Sequence, residues 1–172
     1  MIQHQNVEIK ALCRNPEEVR GILLALRAEF RGTDKQTDIY FKVPHGRLKL
    51  RRGSIENALI FYERPDVIEA KIARVTLFQL ANPDDLLPLL TSALDILVTV
   101  RKRREIYFLN NVKIHLDCIK DLGCFIEIEV IGETAAEIQF QTCRRLMKKL
   151  KIDQADLVTG SYSDMLLKKA PQ

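Results

Sequence analysis

The sequence is short of the features that mark several protein classes. Its 172 residues include only 7 glycines and 6 prolines, while 47% are hydrophobic and 29% are charged. This balance is typical of a globular chain rather than a disordered one. The longest apolar runs, such as Leu86 to Val100, are interrupted by Pro88, Thr91 and Asp95, so none reaches the roughly 20 residues of a membrane-spanning helix. The length fits a single domain over residues 1–172.

Cysteine and export signals are also scarce. The 4 cysteines, Cys13, Cys118, Cys124 and Cys143, form no CxxC pair. Because each lies in or beside an apolar stretch, we expect buried free thiols rather than disulfides or metal ligands. The first residues lack the basic and then apolar pattern of a secretory signal, so a cytoplasmic location is expected.

The positive charge is modest but concentrated. The formal net charge is +4, and the basic residues cluster at Arg47 to Arg52, Arg101 to Arg104 and Arg144 to Lys151. Such clusters favour anionic partners. Since the basic strands carry no aromatic stacking platforms, a phosphorylated small molecule is favoured over nucleic acid.

Three segments carry helix signals: Asn15 to about Phe30, Asn82 to about Ile96 and Glu133 to about Leu150. The first two begin with Asn-Pro followed by acidic residues, which suits a helix start. The third ends in lysines, which suit the negative end of the helix dipole. We therefore interpret the last basic cluster as solvated rather than ligand-binding.

Between the helices lie about eight segments with strand character. They are Val7 to Leu12, Ile39 to Val43, Arg47 to Arg52, Leu59 to Arg64, Ile72 to Leu80, Val98 to Phe108, Val112 to Asp117 and Phe125 to Ile131. Turn signals at Pro44-His45-Gly46 and Asn110-Asn111 indicate antiparallel hairpins. Three helices are too few for repeated parallel crossovers.

Charged residues are sorted by strand face. Alternate side chains of a strand share a face, so Arg47, Lys49 and Arg51 line up together, as do Glu127 and Glu129 on another strand. One interpretation is the solvent side of an amphipathic sheet. Because like charges on a surface are normally interspersed, we favour a sheet that curls with its charged faces inward. This predicts an α+β fold, an eight-stranded antiparallel β-barrel with helices packed outside, whose bore holds a polyanion and a divalent cation.

A set of short motifs in a fixed order extends this interpretation. The motifs are Val7-Glu8-Ile9-Lys10, Asp38-Ile39-Tyr40-Phe41, Arg47-Leu48-Lys49-Leu50-Arg51, Tyr62-Glu63-Arg64-Pro65, Arg103-Arg104-Glu105-Ile106-Tyr107, His115-Leu116-Asp117, Phe125-Ile126-Glu127-Ile128-Glu129 and Gly160-Ser161-Tyr162. Together they resemble the CYTH family, the triphosphate tunnel metalloenzymes, over nearly the whole chain. The run is most similar to bacterial class IV adenylyl cyclases.

The resemblance implies roles for particular residues. Metal ligands for Mg²⁺ or Mn²⁺ would be Glu8, Glu127 and Glu129. Phosphate oxygens would be held by Lys10, Arg47, Lys49, Arg51, Lys71, Lys102 and Arg104. Asp117 would bind metal or orient a neighbouring base, and Tyr40 would act as a general base or orienting group, although a wall aromatic is favoured. The implied substrate is ATP or tripolyphosphate, and a homodimer is compatible with the family.

Two positions depart from the family pattern. Asn6 replaces the first glutamate of the E-x-E-x-K signature, and Glu63 stands where many members have a lysine. Arg64 could supply the missing cation only if its side chain turned inward, since strand neighbours face opposite ways. The missing lysine favours the conversion of ATP to cyclic AMP and pyrophosphate. Hydrolysis of tripolyphosphate, a nucleoside triphosphate or thiamine triphosphate, and binding without catalysis, remain as alternatives.

Overall fold

The computed structural model describes residues 1–67, 70–132 and 135–169. In chain order its main elements are β1 (Ile2–Leu12), α1 (Pro16–Ala25), β2 (Glu29–Phe41), β3 (Arg47–Arg52), β4 (Ala58–Glu63), β5 (Lys71–Gln79), α2 (Leu87–Ala93), β6 (Ile96–Leu109), β7 (Val112–Ile119), β8 (Gly123–Ile131), α3 (Ala136–Lys149) and α4 (Tyr162–Lys169).

The eight strands form one closed antiparallel barrel, which confirms the predicted fold class. Their order around the barrel is β1-β5-β4-β3-β2-β6-β7-β8. In this register Lys49 lies opposite Tyr40 on β2 and opposite Ile60 on β4. Because directly opposed residues project to the same side of a sheet, these three side chains share one face. The basic face of β3 therefore looks into the barrel.

The apolar core is divided between the outside of the barrel and one of its ends. Outside, α1 and α3 pack on the outer faces of β1, β7 and β8, and α2 packs on those of β2 and β3. At one end, Tyr162, Met165 and Leu166 of α4 pack with Val100 and Phe125. The helices thus cover apolar surface that a barrel with a charged interior must turn outward, and α4 closes one end.

The helix boundaries differ from those predicted. The first helix ends at Ala25 because Arg27 takes a left-handed conformation (φ 57°), and the chain from Glu29 onward, including Phe30, belongs to β2. The second begins as a 3₁₀ turn at Pro83–Asp85, and its α-helical part is confined to Leu87–Ala93.

The two C-terminal helices add a further difference. The predicted start of the third helix at Glu133 lies outside the described residues, and its described part begins at Ala136. Helix α4 was not predicted, since only 8 residues form it. No helix in the described ranges combines the length and the hydropathy needed to cross a membrane.

The prediction of four free thiols was wrong for one pair. Cys118 and Cys124 lie opposite each other in the β7–β8 hairpin and form a disulfide, with their Cα atoms 4.1 Å apart. The hairpin register brings the two half-buried residues together, although their spacing in the sequence is not that of a CxxC motif. Cys13 and Cys143 are free and buried, as predicted.

Candidate active site in the barrel

A cavity of about 560 Å³ fills the barrel, a volume within the range of small-molecule sites. Its wall has two chemically distinct sides. Ala58 and Ile60 of β4 and Val75 and Leu77 of β5 form an apolar side. The other side is charged and carries Glu8, Lys10, Lys49, Arg51, Arg64, Lys102, Arg104, Lys113, His115, Glu127 and Glu129. The cavity can therefore accommodate a ligand with an anionic part and an uncharged part.

Three of the predicted phosphate-binding cations converge on Asp38. Its carboxylate accepts from Lys49 Nζ at 3.0 Å, Arg51 Nε at 2.9 Å and Lys102 Nζ at 3.2 Å. Burial opposes ionisation of Asp38, which is 1% exposed, but the cations from β3 and β6 outweigh it and hold its pKa well below the usual value. The three cations are thus held together in the protein by one internal anion.

Asp117 and Glu127 organise a second group of cations. Arg104 donates to Asp117 through Nε at 2.7 Å and to Glu127 through Nη2 at 2.6 Å. Lys10 Nζ lies 2.9 Å from Glu127 Oε1 and 3.7 Å from the centre of the Tyr162 ring. Asp117 was expected either to bind metal or to orient a neighbouring basic residue. Its contact with the Arg104 guanidinium fits the second role.

Two of the three predicted metal ligands, Glu127 and Glu129, lie together in the cavity with His115, whereas the third, Glu8, is paired with Arg64. Donor atoms of His115, Glu127 and Glu129 lie within 4.8 Å of one another. His115 Nδ1 is 3.4 Å from Glu127 Oε2 and 3.6 Å from Glu129 Oε1. Burial raises the pKa of Glu8, and repulsion by Glu129 and Glu127 raises it further, despite the opposing effect of Arg64.

This group passes a simple test of fit for a cation. Within the described part of the chain, the buried Oδ1 of Asn6 and Nε2 of His115 have no hydrogen-bond partner, and the closest approach of His115 Nδ1 to a carboxylate is the long one of 3.4 Å to Glu127. Asn6 lines the same cavity, so the residue that departs from the family signature still presents an oxygen there. A bound cation would reduce the repulsion among the neighbouring carboxylates and would give the unpartnered oxygen and nitrogen atoms a partner to bind. Sites rich in oxygen ligands suit Mg²⁺ or Mn²⁺.

The side chain of Arg64 turns into the barrel, which was the condition for it to replace the missing lysine. Strand β4 ends at Glu63, so Arg64 is released from strand alternation and turns inward. Its guanidinium pairs with Glu8 and donates to Gly160 O at 2.7 Å. A cation therefore enters the cavity although the lysine is replaced by the half-exposed Glu63.

Two predicted phosphate-binding residues are not brought into the cavity. Arg47 Nη2 lies 2.8 Å from both Asp66 and Asp164, beside α4. Lys71 Nζ donates to the carbonyl of Val67 at 2.9 Å. Neither residue is among those that line the cavity, so the phosphate contacts proposed for them remain predictions without geometric support.

Tyr40 lies in the cavity wall beside Lys49, which donates to its hydroxyl at 3.5 Å. Burial raises the pKa of Tyr40, and the Asp38 carboxylate raises it further. Because the phenol keeps its proton, the arrangement suits a hydrogen-bond donor better than a general base. Tyr62 is affected in the same way, by burial and by Tyr40.

Sequence reasoning missed other charged residues of the site. Asp38 was quoted only as part of a motif, although its alternation with Tyr40 along β2 indicated an inward carboxylate. Lys113 alternates with His115 along β7 and so shares its face, but it was given no role. Glu56, which enters the cavity wall from the β3–β4 hairpin, was not signalled at all, because loop residues follow no alternation.

Known proteins match this chain in sequence pattern and in fold. The sequence model of the CYTH domain matches residues 4–162. A structure from Pyrococcus horikoshii OT3 is 24% identical with a TM-score of 0.82, covering 92% of this chain and 98% of that one. A protein from Vibrio parahaemolyticus, provisionally named an adenylate cyclase, is 18% identical with a TM-score of 0.79, covering 95% and 98%.

A third structure, from Hippeastrum, is that of a provisional adenylyl cyclase with a dominant triphosphatase activity. It is 14% identical with a TM-score of 0.65, and 97% of each chain is covered. No curated protein sequence gives a significant match. At these identities the solved structures establish the shared fold.

Proposed function

This chain belongs to the CYTH domain family, and on that premise we propose that it is a divalent-metal-dependent enzyme acting on an organic triphosphate. The reaction that the geometry supports best is that of a class IV adenylyl cyclase, which converts ATP to cyclic AMP and pyrophosphate. The observation that carries this choice is the two-sided cavity, charged on one wall and apolar on the other.

The charged wall supports binding of the triphosphate. Lys49, Arg51 and Lys102 already share one carboxylate, so an anion entering the cavity meets cations held in place. Guanidinium and ammonium groups at such positions form charge-assisted hydrogen bonds with phosphate oxygens. Preorganised cations also stabilise the charge that accumulates on a departing pyrophosphate.

The apolar wall supports an organic group close to the reacting phosphate. Ile60 lies directly across from Lys49, and Leu77 directly across from Ile60, so the apolar side chains face the same interior as the basic row. In a hydrolase that cleaves the terminal phosphate, the organic group can remain outside the barrel. A cyclase must hold ribose against the α-phosphate, which requires such a surface inside it.

The roles of the chain follow from these positions. Glu8, Glu127 and Glu129, with the Asn6 oxygen beside them, would hold Mg²⁺ or Mn²⁺. When bound, that ion supplies neutralisation of phosphate charge. Asp117 fixes Arg104, and Asp38 fixes the cations of β3 and β6, so that phosphate oxygens are oriented for in-line attack by the 3′-hydroxyl.

Hydrolysis of a triphosphate is the second candidate, and one observation favours it. Arg64 turns into the cavity beside Glu8 and restores a cation where the sequence had suggested a loss. The replacement of the family's lysine by Glu63 is therefore weaker evidence against hydrolysis than the sequence alone suggested.

Product analysis tests the proposal. The purified protein is incubated with Mg²⁺ or Mn²⁺ and, separately, with ATP, tripolyphosphate and thiamine triphosphate, with a chelator-treated sample as control. Cyclic AMP and pyrophosphate are expected from ATP. Orthophosphate release would favour hydrolysis instead, and tight binding without products would identify a non-catalytic triphosphate-binding protein.

A further inference from the structure

The carboxylate of Glu56 lies in the cavity wall but has no role in the reaction proposed above. Glu56 lies in the hairpin between β3 and β4. Strand β3 begins at Arg47, whose guanidinium contacts Asp164 of α4, and the hairpin follows the other end of that strand. Glu56 therefore lies at the end of the barrel opposite the α4 plug.

The Glu56 carboxylate bridges cations from two separate strands. Oε2 accepts from Arg51 Nη1 on β3 at 2.9 Å and from Gln36 Nε2 at 3.1 Å. Oε1 accepts from Lys113 Nζ on β7 at 2.5 Å. Strands β3 and β7 are separated in the barrel by β2 and β6, so this bridge crosses part of the interior.

The position of Glu56 is built into the fold. The buried Asp34 carboxylate accepts from the backbone N–H groups of Ser54 at 2.6 Å, Ile55 at 3.0 Å and Glu56 at 2.9 Å. At Gly53, a Cβ would lie 2.6 Å from the Glu56 carbonyl oxygen and 2.7 Å from the Asp34 carboxylate. The hairpin is thus closely packed around Asp34, which holds the backbone of Glu56 in place.

The Glu56 carboxylate lies between an arginine and a lysine, the two side chains that form charge-assisted hydrogen bonds with phosphate oxygens. Burial would raise the pKa of Glu56, but Arg51 and Lys113 outweigh it and hold the pKa well below the usual value, so the carboxylate is ionised. An anionic ligand group that came between Arg51 and Lys113 would therefore have to compete with the Glu56 carboxylate for both cations.

We infer that Glu56 is a specificity-determining residue, which fills the anion position between Arg51 and Lys113 and makes the site select triphosphates bearing an uncharged organic group over inorganic polyphosphates. The inference rests on the proposed function. It agrees with the exposed apolar side chains of Ile2 and Ile55, which line the cavity and suit an uncharged group.

Binding measurements on Glu56→Gln test the inference. Glutamine keeps the size and the acceptor oxygen, while the charge is lost. Glu63→Gln is the matched control, because it removes the same charge from the half-exposed end of the adjoining strand β4. Isothermal titration calorimetry with an ATP analogue whose α,β and β,γ bridging oxygens are both replaced by methylene, and with an imido-bridged tripolyphosphate, in the presence of Mg²⁺, measures affinity without turnover.

Loss of the charge at Glu56 is expected to raise the preference for tripolyphosphate over the ATP analogue by about tenfold. The control is expected to leave this ratio unchanged. The double variant Glu56→Gln/Lys113→Gln is expected to return the ratio toward that of the unmodified protein, since the released cation is then removed. A merely structural role of Glu56 would not produce that return.

The outcomes separate this inference from the proposed function. If both ligands bind and Glu56→Gln leaves the ratio within about twofold of the unmodified value, or if Glu63→Gln shifts it equally, the specificity role is overturned while triphosphate binding stands. If neither ligand binds to any of the proteins, the proposed function fails and the specificity role falls with it. Thermal unfolding of each variant verifies that it is folded.

Discussion

Replacing Asp38 by asparagine removes the one anion that three buried cations share. Lys49, Arg51 and Lys102 lie 2.9 to 3.2 Å from its oxygens, and Lys102 has a side chain only 1% exposed. An asparagine oxygen can still accept a hydrogen bond, but the cluster then carries uncompensated positive charge. The substitution therefore isolates the electrostatic role of the carboxylate.

The expected loss of stability is large for a single isosteric change. Removing one partner from a buried ion pair destabilises a protein by about 3 to 5 kcal/mol. For a chain of 172 residues, this corresponds to a fall in Tm of roughly 6 to 20 °C. Asp95→Asn is the matched control. Its partner Lys42 lies 3.2 Å away at an exposed position, so a change below about 1 kcal/mol is expected.

A triphosphate should reverse part of this loss. If phosphate oxygens take the place of the missing carboxylate, the variant binds tripolyphosphate more tightly, and each tenfold gain in affinity adds about 1.4 kcal/mol of stabilisation at saturating ligand. Thermal unfolding with and without tripolyphosphate measures this directly. The reasoning is refuted if Asp38→Asn unfolds with the parent protein, or if the ligand raises the Tm of both proteins equally.

Three further predictions concern other parts of the molecule. Arg64→Ala is expected to weaken triphosphate binding at least about tenfold, whereas Arg31→Ala, at an exposed arginine, leaves the Kd unchanged; equal Kd values would remove Arg64 from the site. Burial, reinforced by Arg104, lowers the pKa of Lys102 to about 7, so triphosphate binding at pH 8 should take up protons. Calorimetry in buffers of different ionisation enthalpy should detect this uptake and show that it is smaller in Lys102→Met; an uptake unchanged in that variant would contradict the assignment. Because the unfolded chain binds this proton more readily than the folded protein does, the free energy of unfolding should fall as the pH is lowered from about 10.5 toward 7. Reduction of the Cys118–Cys124 disulfide, which closes a loop with a sequence separation of 6, should lower the free energy of unfolding by about 2 kcal/mol in urea titrations; identical curves with and without reductant would contradict this.

Strand alternation predicted much of the fold and the cavity. The sorting of Lys49, Arg51, Glu127 and Glu129 onto strand faces holds because register fixes the direction of every second side chain. The antiparallel arrangement of the eight strands was predicted on other grounds, from the turn signals at Pro44-His45-Gly46 and Asn110-Asn111 and from the small number of helices. Alternation alone could not say how far along the barrel a residue lies. Arg47 shares the face of Lys49 but sits at the strand end, where the acidic residues near α4 bind it instead.

What the sequence could not predict comes from backbone outside regular strands. Arg64 follows the last residue of β4, and Glu56 lies in a hairpin whose path depends on the distant Asp34, so neither obeys a period of two. The disulfide depends on the exact hairpin register that places Cys118 opposite Cys124. The short helix α4 owes its place to packing against the barrel end rather than to its own propensity.

The central claim is that carboxylates and cations converge on one metal-bound triphosphate inside the barrel. A crystal structure with Mn²⁺ and α,β-methylene ATP, with the manganese located by its anomalous scattering, tests this claim most directly. We expect an anomalous peak at about 2 Å from carboxylate oxygens of Glu127 and Glu129, with the triphosphate along Lys49, Lys102 and Arg104 inside the barrel. Manganese and nucleotide bound elsewhere, with the barrel interior still closed by its own ion pairs, would contradict the account.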